Sequence, residues 1–247
     1  MRMIADYHTH TIYSNGKNQR VRHADGTMEE NIQEAIKKGL KTIGISDHGY
    51  RHLLYGINKD DIFRMREEID ILKYKYSKDI EILLGIECNI LDNKGNIDMD
   101  DTVRDQFDYI MAGYHFASIP TAFNGLLNHA SNYLLHTKRA KRYNTDAVVN
   151  AIKRNDLFLV THPGDKGDVY IEEIAEVAKA RDVILEINNS HDHLNVEQLK
   201  KIDKIGNRFM IGSDAHKPHI VGSFSRALET VRKSGIDIKR VENIVED

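Results

Sequence analysis

Several things are scarce in this sequence, and each scarcity removes a class of protein. Tryptophan is absent, and Cys88 is the one cysteine among 247 residues. No intrachain disulfide can form, which fits a reducing cytoplasm. There are three prolines and no low-complexity stretch, so no linker divides the chain and residues 1–247 read as one domain. No apolar run approaches the ~20 residues of a membrane span. The opening MRMIADYH lacks the apolar core of a secretion signal. Charge of one sign is missing too. Lys and Arg number 35 against 38 Asp and Glu, a net charge of −3, which argues against a broad surface for nucleic acid or anionic membrane. Neither G-x-G-x-x-G nor G-x-x-x-x-G-K-[ST] follows the first strand-like run, and G-x-S-x-G is absent, so nucleotide-binding and serine-nucleophile fingerprints are both missing.

What is present is alternation. Short β-rich runs at 3–8, 41–48, 81–87, 107–115, 157–162, 183–189 and 208–214 have the length and composition of buried parallel strands. Amphipathic helical patterns separate them. Thr27 with Glu30 forms a capping box, and Gly39 is placed to close that helix. Ile62, Met65, Ile69, Leu72 and Tyr76 share a helical face. Thr145, Asn195 and Ser223 are candidate N-caps of later helices, the last ended by Gly235. About seven β-α units predict an α/β architecture, a closed or nearly closed barrel, with a doubly wound open sheet as the alternative.

The 13 histidines do not scatter. Strand one ends in His8 and His10, strand two in Asp47-His48, strand three in Glu87, strand four in His115, strand five in His162, and strand seven in Asp214 and His216. Strand six ends in Asn188 and Asn189. Residues two apart on a strand face the same way, so Asp6, His8 and His10 share a face. In a parallel barrel all these ends meet at one mouth. A single histidine at a strand end is ordinarily structural. A whole set of imidazoles and acids at the same end is costly to bury without a cation among them. Imidazole and carboxylate donors suit zinc, manganese or iron, and dispersed ligands in this number do not describe a closed four-ligand structural zinc site.

The ordered set of motifs carries a resemblance. HTH within DYHTH, SDHG (46–49), GIECN (85–89), AGYH (112–115), THPG (161–164), LEINNS (185–190) and GSDAH (212–216) resemble the PHP (polymerase and histidinol phosphatase) superfamily, most of all its small stand-alone bacterial phosphatases of the YcdX type. The resemblance implies a distorted (β/α)7 TIM-like barrel with three divalent metal ions at the C-terminal ends of its strands, zinc first, manganese or iron as alternatives. It implies that His8, His10, Glu87 and Asp214 hold one ion. Glu87, His115 and His162 hold a second, with Glu87 bridging, and His48, His216 and the loop residue His23 hold a third. Glu87, Asp214 and His216 are the catalytic candidates. The activity implied is hydrolysis of small phosphomonoesters, histidinol phosphate among them, by a metal-bridging hydroxide. The alternatives are an amidohydrolase-type C–N hydrolase and a PHP nuclease or nucleotidase.

A phosphorylated substrate needs cations. Arg20 and Arg22 in the loop before His23, and Arg139 and Arg142 in HTKRAKR (136–142), are the candidates. An insertion at about 117–143 carries Phe123, Leu126, Leu127, Tyr133, Leu134 and Leu135, apolar enough to pack on the barrel rim or on a second copy of the chain. His52, His129, His136, His191, His193 and His219 fall outside the motifs; most of them read as solvated loop or lid residues, while His191 and His193, following the sixth strand, are placed where they could approach the mouth. Asp47 is a candidate to orient His48 or a neighbouring ligand, and Cys88, opposite in parity to Glu87, reads as an inert buried thiol.

Overall fold

The alternation of apolar runs and amphipathic helices resolves, in a computed structural model describing residues 1–121, 123–134 and 137–246, into seven parallel strands wrapped by helices. In chain order the elements are β1 (Arg2–Met3), β2 (Ala5–Asp6), α1 (Met28–Lys37), β3 (Thr42–Ile45), α2 (Ile62–Lys75), β4 (Glu81–Asn89), β5 (Tyr109–Gly113), α3 (Phe123–Leu134), α4 (Lys138–Arg154), β6 (Leu159–Val160), α5 (Ile171–Ala180), β7 (Ile184–Asn188), α6 (Val196–Ile202), β8 (Phe209–Gly212), α7 (Ser225–Ser234) and β9 (Ile244–Val245). Strands β2 to β8 pair in sequence order, each parallel to the next. Beneath them β1 and β9 form a small antiparallel pair.

Among the described residues no strand ladder joins β2 to β8; side chains, with one backbone bridge above them, close this seam. Asn243 donates from Nδ2 to Ala5 O and Ile211 O and accepts from Ile211 N. Higher up, Asp6 accepts from His8 N, Ser213 N and Gly222 N, and a parallel bridge joins Thr9 to Ala215. The result is a nearly closed (β/α)7 barrel. Asp6, grouped by parity with the two histidines, is thus a clasp for the seam.

Alternation along the strands divides the core. Outward residues such as Ile43, Ile86, Ile110, Leu185 and Ile211 are buried with α-helical residues such as Ile32, Ile69, Ala147 and Leu199 in one large cluster. Inward residues Tyr109, Met111, Leu159, Ile184 and Met210 form a separate cluster, with Tyr7, Leu83 and Phe158 packed on it. Tyr109 crosses this floor and donates to Tyr7 O at 2.6 Å. Gly44 and Gly85 make room for it: a Cβ would lie 2.0 Å from the Tyr109 oxygen at Gly44 and 2.2 Å from Cζ at Gly85.

The Thr27–Glu30 and Asn195–Gln198 capping boxes form, and Gly39 and Gly235 take left-handed φ at helix ends. Two cap expectations are corrected. Thr145 lies inside α4, which starts two turns earlier with Thr137 as its cap. Its hydroxyl bonds back to Lys141 O, a local outlet that lets threonine sit in a helix interior. Ser223 does not cap α7; the free N–H groups of Arg226 and Ala227 bond to Asn189 Oδ1 from the end of β7.

The insertion forms α3 and the start of α4. A polar ladder seats it. Asn128 and Asn132 donate to Tyr114 Oη and to Asn144 Oδ1, and Asn144 donates back to Asn132 and to Asp168 O. Leu126 and Leu127 face solvent. Leu135 and His136 lie outside the described residues, as do the side chains of Phe123, His129, Tyr133 and Leu134.

Candidate metal centre

Inward parity continues above the apolar floor, and there the residue type changes. Glu87 follows Leu83 and Gly85 on the inner face of β4, and Glu186 follows Ile184 on β7. Both carboxylates are fully buried. Glu87 sits at the centre of five imidazoles. Its Oε1 is 3.0 Å from His162 Nε2, 3.2 Å from His115 Nε2 and 3.5 Å from His8 Nε2; its Oε2 is 2.8 Å from His48 Nδ1 and 3.8 Å from His10 Nε2. Asp214 Oδ1 approaches His10 Nε2 at 3.2 Å and His8 Nε2 at 3.6 Å. His23, on the long loop after β2, reaches the mouth: its Nε2 is 2.8 Å from His216 Nε2 and 3.1 Å from His48 Nε2.

All nine residues put forward as ligands therefore converge. Four sets of three have donor atoms close enough to share an ion: His8-His10-Glu87, His8-His162-Asp214, His48-Glu87-His115 and His10-His48-His216. The partition differs in detail from the one the motifs imply. His48 joins Glu87 and His115 as well as His216, and His162 joins His8 and Asp214.

The donors are aimed and unsatisfied. His8 Nε2, both nitrogens of His10, His48 Nδ1, Glu87 Oε2 and His115 Nε2 are buried and make no well-aligned hydrogen bond; all but His10 Nδ1 meet one another or Asp214 in imidazole–carboxylate contacts of 2.8–3.8 Å. An unpartnered buried polar atom costs about 1–3 kcal/mol. Such atoms gathered in one buried place form an arrangement that a divalent cation would relieve. The residues present therefore fit the metal ions that the sequence motifs imply. The backbone shows the same strain toward the site, since His162 and Asp214 hold φ of 25° and 53° in the left-handed region that non-glycine residues avoid.

The charge balance favours ligation. At Glu87 burial alone would raise the carboxyl's pKa, but His115, His8 and His48 outweigh it and hold the group well below its ordinary range. Asp214 is held low in the same way, chiefly by His8 and His10. Burial, then the neighbouring imidazoles, lowers His23 to about 3 and His216 to about 4. Their lone pairs are thus free of protons at neutral pH, as ligation needs.

The flanks of the mouth were not legible in the motifs. The cavity, about 310 Å³, is lined by Tyr55, Lys166 and His191 as well as by ligand candidates. Tyr55 is sandwiched between His23 (centroids 3.8 Å apart) and His52 (3.5 Å). His52 is buried, with Nε2 2.6 Å from Phe116 O, and is not a solvated residue. His191 is held between Asp165 and Asp214 at 3.1 Å from each, and these two acids push it up to about 9. His193 is half-buried beside Asp165, and His219 is exposed. Lys166 Nζ lies 2.5 Å from Asp165 Oδ2.

Two expectations about supporting residues change. The four arginines are not among the residues lining the mouth. Arg20 and Arg139 are exposed, Arg22 pairs with Asp25, and Arg142 pairs with Glu173 and Asp146 on the outer helices. Charge runs on amphipathic helices face solvent, and Arg139 and Arg142 on α4 follow that rule, while Arg20 and Arg22 lie on the outer side of a loop. Asp47 does not meet the His48 ring; it accepts from Thr11 N and Oγ1 and from Ser14 Oγ, fixing the turn after β2. Ser14 Oγ in turn receives His48 N. Cys88 is buried and belongs to the outer core, opposite Glu87.

Comparison with known proteins places this geometry. The family model described as PHP domain matches residues 6–190. Over 250 residues the chain is 31% identical to a probable phosphatase of Thermoanaerobacter sp. (strain X514), the match covering 96% of this chain and 88% of that one. It is 27% identical to a probable phosphatase of Shewanella loihica, covering 98% and 90%. Among solved structures, the histidinol phosphate phosphatase of Lactococcus lactis, crystallised with zinc, L-histidinol and phosphate, superposes with a TM-score of 0.62 at 17% identity, over 95% of each chain. A protein described as a putative histidinol phosphatase, from Listeria monocytogenes, gives 0.65 at 16% identity, over 90% of this chain and 98% of that one. At such identities the structural likeness speaks for the barrel.

Proposed function

The chain belongs to the PHP domain family, and we propose that it is a metal-dependent phosphoesterase acting on small phosphomonoesters, with three divalent ions, zinc first, in its mouth. The observation that carries this reading is the set of buried, unpartnered imidazole and carboxylate atoms converging on Glu87. His8, His10, Glu87 and Asp214 would hold one ion, Glu87, His115 and His162 a second, and His48, His216 and His23 a third, with His48 and His162 near enough to serve a neighbouring ion instead. Ions bound there would supply Lewis acidity at phosphoryl oxygens and a water of pKa near ~7.

The chain's own groups do the rest. Glu87 fixes the spacing of the centre, since both its oxygens are shared among imidazoles. Tyr55 stacks on His23 and keeps that loop ligand over the mouth. Lys166 is the cation for the substrate's phosphoryl charge: it lines the cavity, whereas Arg20, Arg22, Arg139 and Arg142 do not. A thiol nucleophile is ruled out, since the only cysteine, Cys88, is buried in the outer core away from the mouth. A cavity of about 310 Å³ suits a small ligand, not a nucleic-acid duplex.

The test is a substrate panel on protein loaded with defined metal: small phosphomonoesters including histidinol phosphate, phosphodiesters, and cyclic amides. Metal-dependent turnover confined largely to monoesters supports the reading. Hydrolysis of cyclic amides with inert monoesters would replace it with a C–N hydrolase.

A further inference from the structure

On the inner wall of β7, one acid has no place in the ligand sets. Glu186 is fully buried and is the next inward residue after Ile184, where the apolar strand leads up into the mouth. Its Oε1 is 2.6 Å from His8 Nδ1. Its Oε2 accepts from the backbone N–H of His162 at 2.8 Å and from Asn188 Nδ2 at 3.0 Å. Asn188 Nδ2 also reaches Asp214 Oδ2 at 3.4 Å. One carboxylate therefore touches the ring of one ligand candidate, the strained backbone of a second (φ 25° at His162) and, through one amide, the side chain of a third. The neighbouring strand accommodates it: a Cβ at Gly212 would lie 1.9 Å from Glu186 Oε1.

We infer that Glu186 is the positioning residue of the metal centre, orienting His8, His162 and Asp214 as a unit without itself binding an ion. The inference rests on the metal reading of the mouth given above. The reason is tautomeric. In the neutral imidazole that a metal takes, a carboxylate on Nδ1 holds the ring proton there and leaves Nε2 to ligate, and Nε2 is the atom turned toward Glu87 and Asp214 without a well-aligned hydrogen bond. It also makes the imidazole a stronger donor, the effect that a carboxylate behind a ligating histidine has generally. Asn89 does the equivalent for His115 with a neutral acceptor, Oδ1 at 3.0 Å from Nδ1, and is itself held by Asp98. Glu186 differs in contributing charge and in serving three ligands at once.

The experiment is metal titration of Glu186→Gln, Glu186→Asp and Gly212→Ala beside wild type, read by elemental analysis and by affinity in a competition with a chelator. Glu186→Gln keeps the shape and loses the charge. It should bind at least one ion about 10–100-fold more weakly, with activity recovered in part by excess metal. Gly212→Ala leaves every polar group in place but pushes on Glu186 Oε1 at 1.9 Å and, less closely, on His8 Cβ at 3.0 Å, and should weaken binding in the same direction. Glu186→Asp should recover part of the affinity lost in Glu186→Gln. Circular dichroism of the metal-free variants reports folding separately. Unchanged affinity in folded Glu186→Gln and Gly212→Ala, with wild type binding its ions, would overturn the inference. A wild type that binds no ion would overturn the metal reading instead.

Discussion

At the floor of the barrel Tyr109, Met111, Leu159, Ile184 and Met210 fill the interior, and the buried hydroxyl among them is bonded to Tyr7 O. Two to four residues further along the same strands, the interior holds Glu87 and Glu186, ringed by imidazoles of which several nitrogens have no partner. Floor and mouth share strands, burial and inward parity, so secondary structure cannot account for their difference. The floor is satisfied as it stands and holds the barrel together. The mouth is left incomplete in protein atoms, and on the proposed reading bound cations would complete it.

That contrast is broken most severely at Glu87. Glu87→Gln should lose bound metal and depress turnover by more than the 10–100-fold that changes in supporting groups cause, while the floor keeps the variant folded by circular dichroism. Chelation of wild type should do likewise. It should also lower thermal stability, because ions at 100 times their dissociation constant contribute about 2.7 kcal/mol; differential scanning calorimetry with and without chelator reads this. At the flank, Lys166→Ala should raise KM for a phosphomonoester about 10-fold or more, the scale of a lost charge-assisted hydrogen bond, with metal content unchanged. Alanine at Arg20, Arg22, Arg139 or Arg142 should leave KM within about twofold, since exposed ion pairs contribute little.

The floor predicts the converse pattern. Tyr109→Phe deprives Tyr7 O of its donor and should cost about 1–3 kcal/mol in chemical denaturation without altering metal stoichiometry. The smallest effect is on pH. In metal-free protein His23 and His216 sit near 3 and 4 against an ordinary 6.5. Between 6.5 and those values the unfolded chain binds protons that the folded chain refuses. Their contribution is therefore present above pH 6.5 and is lost as pH falls toward 4. Metal-free melts of a His23→Asn/His216→Asn double variant should show a shallower loss over that interval than wild type.

Much of this contrast could be read in the chain. Strand ends announce themselves by residue type, so His8, His10, His48, Glu87, His115, His162, Asp214 and His216 were visible as a set, and the parallel register brings them together. His23 was visible through the motif resemblance and not through its spacing, because a loop's path depends on contacts such as Asn15 Oδ1 with His23 N and the Tyr55 stack. Glu186 was hidden inside VILEIN. Its only signal was an acid at inward parity two residues before Asn188, which apolar flanks disguise as an ordinary buried strand. Sequence gives charge without direction: the arginines lie away from the mouth lining, whereas Lys166 lines it from a turn that follows a strand end. Thr145 misled because a threonine flanked by helical pattern caps a helix or continues it with equal local logic, and the docking of α3 on α4 decided for continuation.

The central claim is that these distant side chains form one site by holding adjacent cations. Elemental analysis of the purified chain after loading with zinc or manganese, compared with Glu87→Gln, tests it most directly. The account predicts three ions per wild-type chain and at least two fewer in the variant. Wild-type protein that hydrolyses phosphomonoesters in chelator while retaining no ion would contradict it.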